Sequence, residues 1–581
     1  MTTLAARILC AMLLVTSLPA QQNAVPASAA KPAPTQNSGV AQTNAAPAQQ
    51  GFRIAGVVVN ALTGQPIASA SVALAPLNHG SERDISKSLV TGNDGRFSFA
   101  GLSRGKYSLL GRARGFEFQA FDRHDEYSTA IAVGPDLDSE HLVFRLQPDA
   151  SIEGEVTDEN NDPVEFAMVR LFPTRTRDIV WRAGPIAQTQ TDDQGHYHFG
   201  HLEAGGYYLA VSARPWYAEN VRLPNGYNPN PNIVYPPSQQ PADDAALDVT
   251  YPLTFYPDAT DSADATPLQV APGARETANI ALHAIPSLHL RIRTGSSAPS
   301  EGPSRMIFPR VSERIFDGYL DSVFNAPTSP VGPGVLEISG LAPGHYVIEV
   351  PPSSGPNDKG VARAWYREID LTGDAEINAA EGPGFVSVSG TILFENARVP
   401  RAASIELINP NTGETFRSDI SSKGEFDFPP DNVRPGRYVI ALGSGEGFYL
   451  KKLVATGGNI VGRMVEIGSA ASVHLAIIAS AGEAQVDGTA IHDDTPFAGA
   501  MIVLVPQDPA NNTPLFRRDQ SDSDGTFTLA NVVPGPYTVI AIANRWDLDW
   551  SNPAVLQPYL KRGQAVQVPP EGKLQVKVQV Q

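Results

Sequence analysis

One short alternation organises the chain and returns along it. In Arg96-Phe97-Ser98-Phe99 every second position is apolar, so Phe97 and Phe99 share one face of a strand and Arg96 and Ser98 the other. Asp94-Gly95 leads into this strand, and Gly101-Leu102 followed by Arg104-Gly105 leads out of it. Gly95 supplies the backbone freedom of a hairpin turn, and the Asp94 side chain bonds back to the turn backbone. Tyr107 and Leu109 then begin a second alternating strand.

Upstream of this signature, residues 52–59 form a strand that carries Gly56, Thr63-Gly64-Gln65-Pro66 makes a turn, and residues 70–74 alternate again. Residues 142–146 close the unit. The same order restarts with Ile152-Glu153-Gly154-Glu155-Val156, Asp162-Pro163-Val164 and Ala167-Met168-Val169-Arg170-Leu171, then Asp192-Asp193-Gln194-Gly195-His196-Tyr197-His198-Phe199. A third copy keeps only the second half, in residues 334–346. The fourth (Gly390, 403–407, Gly424-Glu425-Phe426-Asp427-Phe428, Pro435-Gly436-Arg437-Tyr438) and the fifth (Gly488, 500–504, Asp524-Gly525-Thr526-Phe527, Pro534-Gly535-Pro536-Tyr537) are clear. Each full copy predicts about seven short strands in a sandwich of roughly 100 residues. A spacing of roughly 90 to 140 residues is too long for a solenoid. The pattern predicts an all-β chain of five tandem, independent Ig-like or prealbumin-like β-sandwich domains, at 51–148, 149–286 (with a long aromatic and Pro-rich insertion), 287–384 (degenerate), 385–480 and 481–581.

Composition agrees with that architecture. Over 581 residues there are 50 Gly and 50 Pro, and only 18% of residues are charged, a balance that suits turn-rich β modules. A net charge of -18 argues against broad nucleic-acid binding, which needs a basic face. At the start, Arg7 precedes the apolar run 8–18, and Ser17-Leu18-Pro19-Ala20 offers a cleavage site, so residues 1–20 are expected to be a secretory signal peptide. The run is shorter than the ~20 residues that span a bilayer, and no later run approaches that length. The single cysteine, Cys10, lies in this run behind the large Ile8-Leu9, which argues against lipidation and leaves the exported chain without disulfides. Residues 21–50, rich in Ala, Gln, Pro, Asn and Ser, are expected to be a disordered linker.

The order of Gly-x-Val strand, Pro turn, Ala-x-Val-x-Leu, Asp-x-x-Gly-x-Phe-x-Phe and Pro-Gly-x-Tyr-x-Val resembles the carboxypeptidase regulatory-like domain. The resemblance extends over nearly all of the chain after the linker and is weakest in the third copy. It implies a seven-stranded prealbumin-like sandwich, related in shape to starch-binding-like and other carbohydrate-binding-like modules. In the enzymes that lend the family its name such a domain sits beside a separate zinc peptidase domain, so the resemblance implies no catalysis by itself.

Candidate chemistry is sparse. The eleven histidines show neither zinc-peptidase spacing, and no nucleophile elbow or phosphate loop is found. No enzyme and no cofactor is expected. His196, His198 and His201 form the one metal-like cluster: the first two point to one strand face, an arrangement zinc or copper can use. Alternatively Tyr197 and Phe199 take the core positions and the histidines are the solvent face. The acidic turns at Asp192 and Asp522 suggest hairpin chemistry rather than calcium, since no ligand pattern follows the glycine. The long insertion, from Arg214 to Pro252, brings Trp216, Tyr217, Tyr227 and Tyr235; Trp181 lies near it, and Trp546 and Trp550 follow the fifth signature. Such rings can stack on sugars, or can pack down on the sandwich edge. The sequence therefore predicts an exported, non-catalytic binding or scaffolding protein of the cell envelope or extracellular space, with polysaccharide or envelope protein as partner, no nucleic acid and no transmembrane segment. The alternative is a dedicated carbohydrate-binding protein using the loop aromatics of domains two and five.

Overall fold

The computed structural model describes residues 51–77, 86–174, 184–218, 247–293, 309–316, 318–323, 327–332, 335–350, 365–378, 384–429, 432–444, 447–469, 472–482 and 484–581. The expected signal peptide and linker, Trp181, Tyr227 and Tyr235 lie outside the described residues.

The alternation folds as β-sandwich. In the first unit the signature strand Arg96–Leu102 pairs antiparallel with Phe52–Asn60, and the closing strand Leu142–Leu146 pairs parallel on its other side. A second sheet joins Lys87–Val90, Ser71–Pro76 and Gly105–Arg112. Phe97, Phe99, Leu102, Val72, Leu74 and Phe144 fill the space between the sheets. The arrangement repeats along the chain, and five large cores are each drawn from one contiguous stretch; we name these stretches the first to fifth modules. The third is a fuller sandwich than its sequence suggests. Leu288–Arg293 pairs with Val335–Leu341, and Arg310–Ile315 pairs with Gly344–Val350, although neither upstream strand carries the Gly or Ala-x-Val-x-Leu marks of the other copies.

Three recurring devices explain the signature. The turn glycines Gly95, Gly195, Gly424 and Gly525 all adopt positive φ, a region that costs any residue with a Cβ. The strand glycines Gly56, Gly154, Gly390 and Gly488 lie where a Cβ would strike a neighbouring strand's carbonyl or an inward aromatic ring. The signature tyrosines each donate a hydroxyl hydrogen bond to the carbonyl four residues earlier: Tyr107 to Ser103, Tyr207 to Glu203, Tyr346 to Ala342, Tyr438 to Arg434 and Tyr537 to Val533. This is the tyrosine corner of Ig-like sandwiches, and the third module has it too. Burial pushes the Tyr537 hydroxyl up to about 12.

A fourth device is a hydroxyl four residues before the turn glycine. Thr191 Oγ1 donates to the Val164 carbonyl at 2.6 Å and accepts from the Ala167 amide at 2.8 Å. Thr91 does the same with Ile67 and Ala70, and Ser521 with Phe497 and Ala500. The fourth module has Ile420 there. Thr191→Val keeps the shape but strands a buried carbonyl and amide, so it should cost about 1–3 kcal/mol. Thr191→Ser should cost far less, as Ser521 fills the same place. Equal losses for the two variants in urea unfolding would show that the hydroxyl is not what matters.

Successive modules touch. Phe316 of the third packs among Phe172, Tyr208 and Phe255 of the second. Arg434 of the fourth is ion-paired to Glu349 of the third at 3.0 Å. Arg437 of the fourth donates to Asn511 of the fifth, and Arg123 of the first is paired with Glu203 of the second at 2.5 Å. Each core is drawn from its own stretch, while the surfaces of successive modules are in contact.

Candidate functional site

The sequence-predicted residues separate into distinct environments. His196 and His198 stand exposed on the strand His196–Leu202, with Tyr197 and Phe199 buried between them. Each imidazole faces its own carboxylate: His196 lies 3.8 Å from Asp192, His198 3.7 Å from Glu153 and His201 2.5 Å from Asp149. The cluster is thus spread over three separate pairs. Among the described residues no group of three His, Cys, Asp or Glu is placed to hold a metal ion. Asp192 serves its turn, accepting the amides of Gln194 at 3.0 Å and His196 at 2.8 Å; the His196 amide above all holds its carboxyl below the usual range.

At the start of the insertion Trp216 is 87% exposed and meets Tyr217 edge-on at 5.6 Å. The Tyr217 hydroxyl donates to Glu159 at 2.5 Å, and that bond raises it to about 12. Beyond the insertion, Tyr251 and Phe255 are buried in or beside the second sandwich.

Trp546 and Trp550 pack onto the fold. The strand Met501–Pro506 is buried on both faces: Ile502 and Leu504 enter the sandwich core, while Met501, Val503 and Val505 face a second cluster with Phe516, Trp550 and Leu556. That outer cluster is covered by the helix Pro553–Leu560, started by Pro553 and capped by Asn552, whose Oδ1 accepts the Ala554 amide at 3.0 Å. Trp550 is therefore buried. Trp546 lies parallel to the His124 ring of the first module, with centroids 4.6 Å apart and planes 9° from parallel.

His124 belongs to a larger joint between the first and fifth modules. Arg518, with its side chain 1% exposed, is paired to Asp125 at 3.0 Å and Glu126 at 3.3 Å. Its guanidinium also lies over Tyr127 at 4.7 Å and Trp550 at 4.5 Å, an arrangement in which charge and ring quadrupole attract. Gln520 donates to the Asp122 carbonyl at 2.6 Å and to Thr129 at 2.7 Å. The acidic turn of the fifth module completes the joint: Asp522 is paired to Lys106 at 2.5 Å and accepts the Ala130 amide at 2.9 Å, and Ser523 accepts the Ala132 amide at 2.8 Å. Sequence reasoning missed these residues. No local pattern marks them: Arg518 and Gln520 pair with Val503 and Met501 on the face turned away from the sandwich core, where the first module and Trp550 cover them.

Next to this joint Asp519 accepts the amides of Thr528 at 2.7 Å and Gln520 at 2.8 Å. Burial outweighs those bonds and, with help from Asp522, pushes its carboxyl up from 3.8 to about 7. A raised carboxylate favours the folded state when protonated, so this contribution is full below 3.8 and is lost as pH rises through about 7. Thermal unfolding should therefore show the wild type losing stability relative to Asp519→Asn between about pH 4 and about pH 8. Parallel curves for the two proteins would refute the assignment.

One cleft remains. It encloses about 630 Å³ between the first and second modules, lined by Ser69, Ser71, residues 112–118, Arg123, His201 and Glu203. Arg112 and Arg114 border it without an ion-pair or hydrogen-bond partner among the described residues. Phe118 is 54% exposed at its wall.

Two stretches of the chain, 53–146 and 151–234, match the model of the carboxypeptidase regulatory-like domain. No protein of curated function matches the chain. Among solved structures, the Bacillus anthracis TIE protein is similar at 11% identity over 89% of this chain and 69% of its own, with a TM-score of 0.15. The minor pilin GBS52 of Streptococcus agalactiae is similar at 14% identity over 44% of this chain and 99% of its own, with a TM-score of 0.20. The major pilin RrgB of Streptococcus pneumoniae is similar at 9% identity over 90% and 99%, with a TM-score of 0.16. Similarity to the carboxypeptidase regulatory-like domain is thus shown for residues 53–146 and 151–234.

Proposed function

We propose that this chain is an exported, non-catalytic scaffold of the cell envelope or extracellular space, whose β-sandwich modules hold a fixed arrangement rather than swing as a string. The observation that supports this most directly is the joint in which Arg518, Gln520 and Asp522 of the fifth module are satisfied by the first. Module contacts run from first to second, third, fourth and fifth and then return to the first. A closed set of contacts fixes the spacing of surface loops, which a scaffold needs and a flexible tether does not. Arg7 followed by the apolar run 8–18 and the small-residue site near Ala20 supports export.

Small-angle scattering of the chain tests this reading. The expected result is one compact particle whose radius of gyration is unchanged by salt. A profile of freely jointed modules would sink the scaffold reading. A second reading, sugar binding through the insertion, is favoured by one observation: the exposed face of Trp216. A glycan array in which Trp216→Ala matches the wild type would remove it.

A further inference from the structure

We propose that the cleft between the first and second modules binds a polysaccharide bearing carboxylates, that is, a uronate-containing glycan. The inference rests on the proposed export of the chain, but not on the joint between the first and fifth modules.

The charge pattern points first to an anion. In a chain of net charge -18, Arg112 and Arg114 stand two positions apart at the end of the strand Gly105–Arg112 and just beyond it. Both border the cleft and have no partner among the described residues, although acidic side chains are plentiful. Arg123, the third guanidinium, is already committed: it is paired to Glu203 and donates to the Asp125 carbonyl at 2.8 Å. It props the wall. Guanidinium groups recognise carboxylates through paired hydrogen bonds of fixed geometry.

The other lining residues narrow the class from any anion to an anionic sugar. Phe118 exposes a ring at the wall, and an aromatic face suits the C–H face of a pyranose rather than a bare phosphate. Ser69 and Ser71 bring hydroxyls, while Glu117 and Glu203, each already with partners, bring further carboxylate oxygens. Those oxygens would repel a dense polyanion but accept hydrogen bonds from sugar hydroxyls. A ligand with carboxylates spaced by hydroxylated rings satisfies both demands. The volume, about 630 Å³, falls within the roughly 300–1,000 Å³ of small-molecule sites.

Isothermal titration of the full chain with a short oligogalacturonate, its neutral galactose counterpart and inorganic phosphate tests the proposal. The expected result is binding of the uronate alone, weakened by added salt. Affinity should fall about tenfold or more in the double variant Arg112→Gln/Arg114→Gln and clearly in Phe118→Ala. These side chains are exposed, so circular dichroism should show the variants folded. Absent uronate heat, equal affinity in the double variant, or phosphate binding as tight as the uronate would each overturn the site. Scattering on the same samples separates this outcome from failure of the scaffold: a blank titration with a compact particle removes the cleft site alone.

Discussion

Replacing Arg518 by alanine should release the fifth module from the first. The guanidinium is buried among Tyr127, Trp546 and Trp550 and carries the ion pairs to Asp125 and Glu126. Removing one partner of a buried pair costs about 3–5 kcal/mol. Glu126 remains about half exposed and Asp125 keeps some water, so the loss should sit near the lower end, about 3 kcal/mol. The expected observations are a larger radius of gyration and faster proteolysis between modules. Arg518 also packs on the cluster beneath Trp550, so the variant alone does not separate undocking from local unfolding. Asp125→Ala supplies the control, because it lies in the first module and leaves the fifth untouched. It should loosen the joint in the same direction. Arg518→Met should recover part of the packing on the rings without the charge. Unchanged scattering in both Arg518→Ala and Asp125→Ala would show that the joint does not hold the chain closed.

The joint illustrates what the sequence carried and what it did not. Local chemistry was legible: turn glycines, inward aromatics at period two and the Pro-Gly before tyrosine all report on one module's own backbone and core. Two-sided burial was legible in principle but easily passed over. Met501-Ile502-Val503-Leu504-Val505 is a continuous apolar run, which signals a strand covered on both faces, and its second cover is the segment holding Trp546 and Trp550. Read as loop aromatics, those rings can stack on a sugar or pack down on the sandwich; the structure buries Trp550 and stacks Trp546 on His124. The third module was hidden for a different reason. Its upstream strands pair through backbone hydrogen bonds that any extended sequence can make, while the side-chain marks used to find the other copies are missing. The cleft was beyond reach, since it joins residues 69–123 to His201 and Glu203 and needs the relative placement of two modules.

Gly154→Val should unfold the second module, because a Cβ there meets a backbone carbonyl and, beside it, the hydroxyl of the signature tyrosine. Gly154 sits in the strand Ala150–Thr157, opposite Tyr197 on one side. On the other side the backbone of Ala278 donates to the Glu153 carbonyl at 2.8 Å. The Tyr197 hydroxyl crosses above the glycine to donate to the Ala278 carbonyl. A Cβ at Gly154 would collide with that carbonyl and with the Tyr197 hydroxyl together. The obstacle is backbone in a sheet, not the end of a flexible side chain, so relief requires the strands to part. Overpacking of this kind costs about 1–3 kcal/mol and occasionally more; loss of the buried Tyr197 bond adds about 1 kcal/mol. The sum, about 2–4 kcal/mol, is a large share of the stability of a single domain. Tyr197→Phe in the same background should remove only the hydroxyl clash and recover part of the loss, since Phe97 fills the equivalent place above Gly56. Equilibrium unfolding of the two variants checks this, and a Gly154→Val protein as stable as the wild type would mean that the strands are not held at the observed spacing.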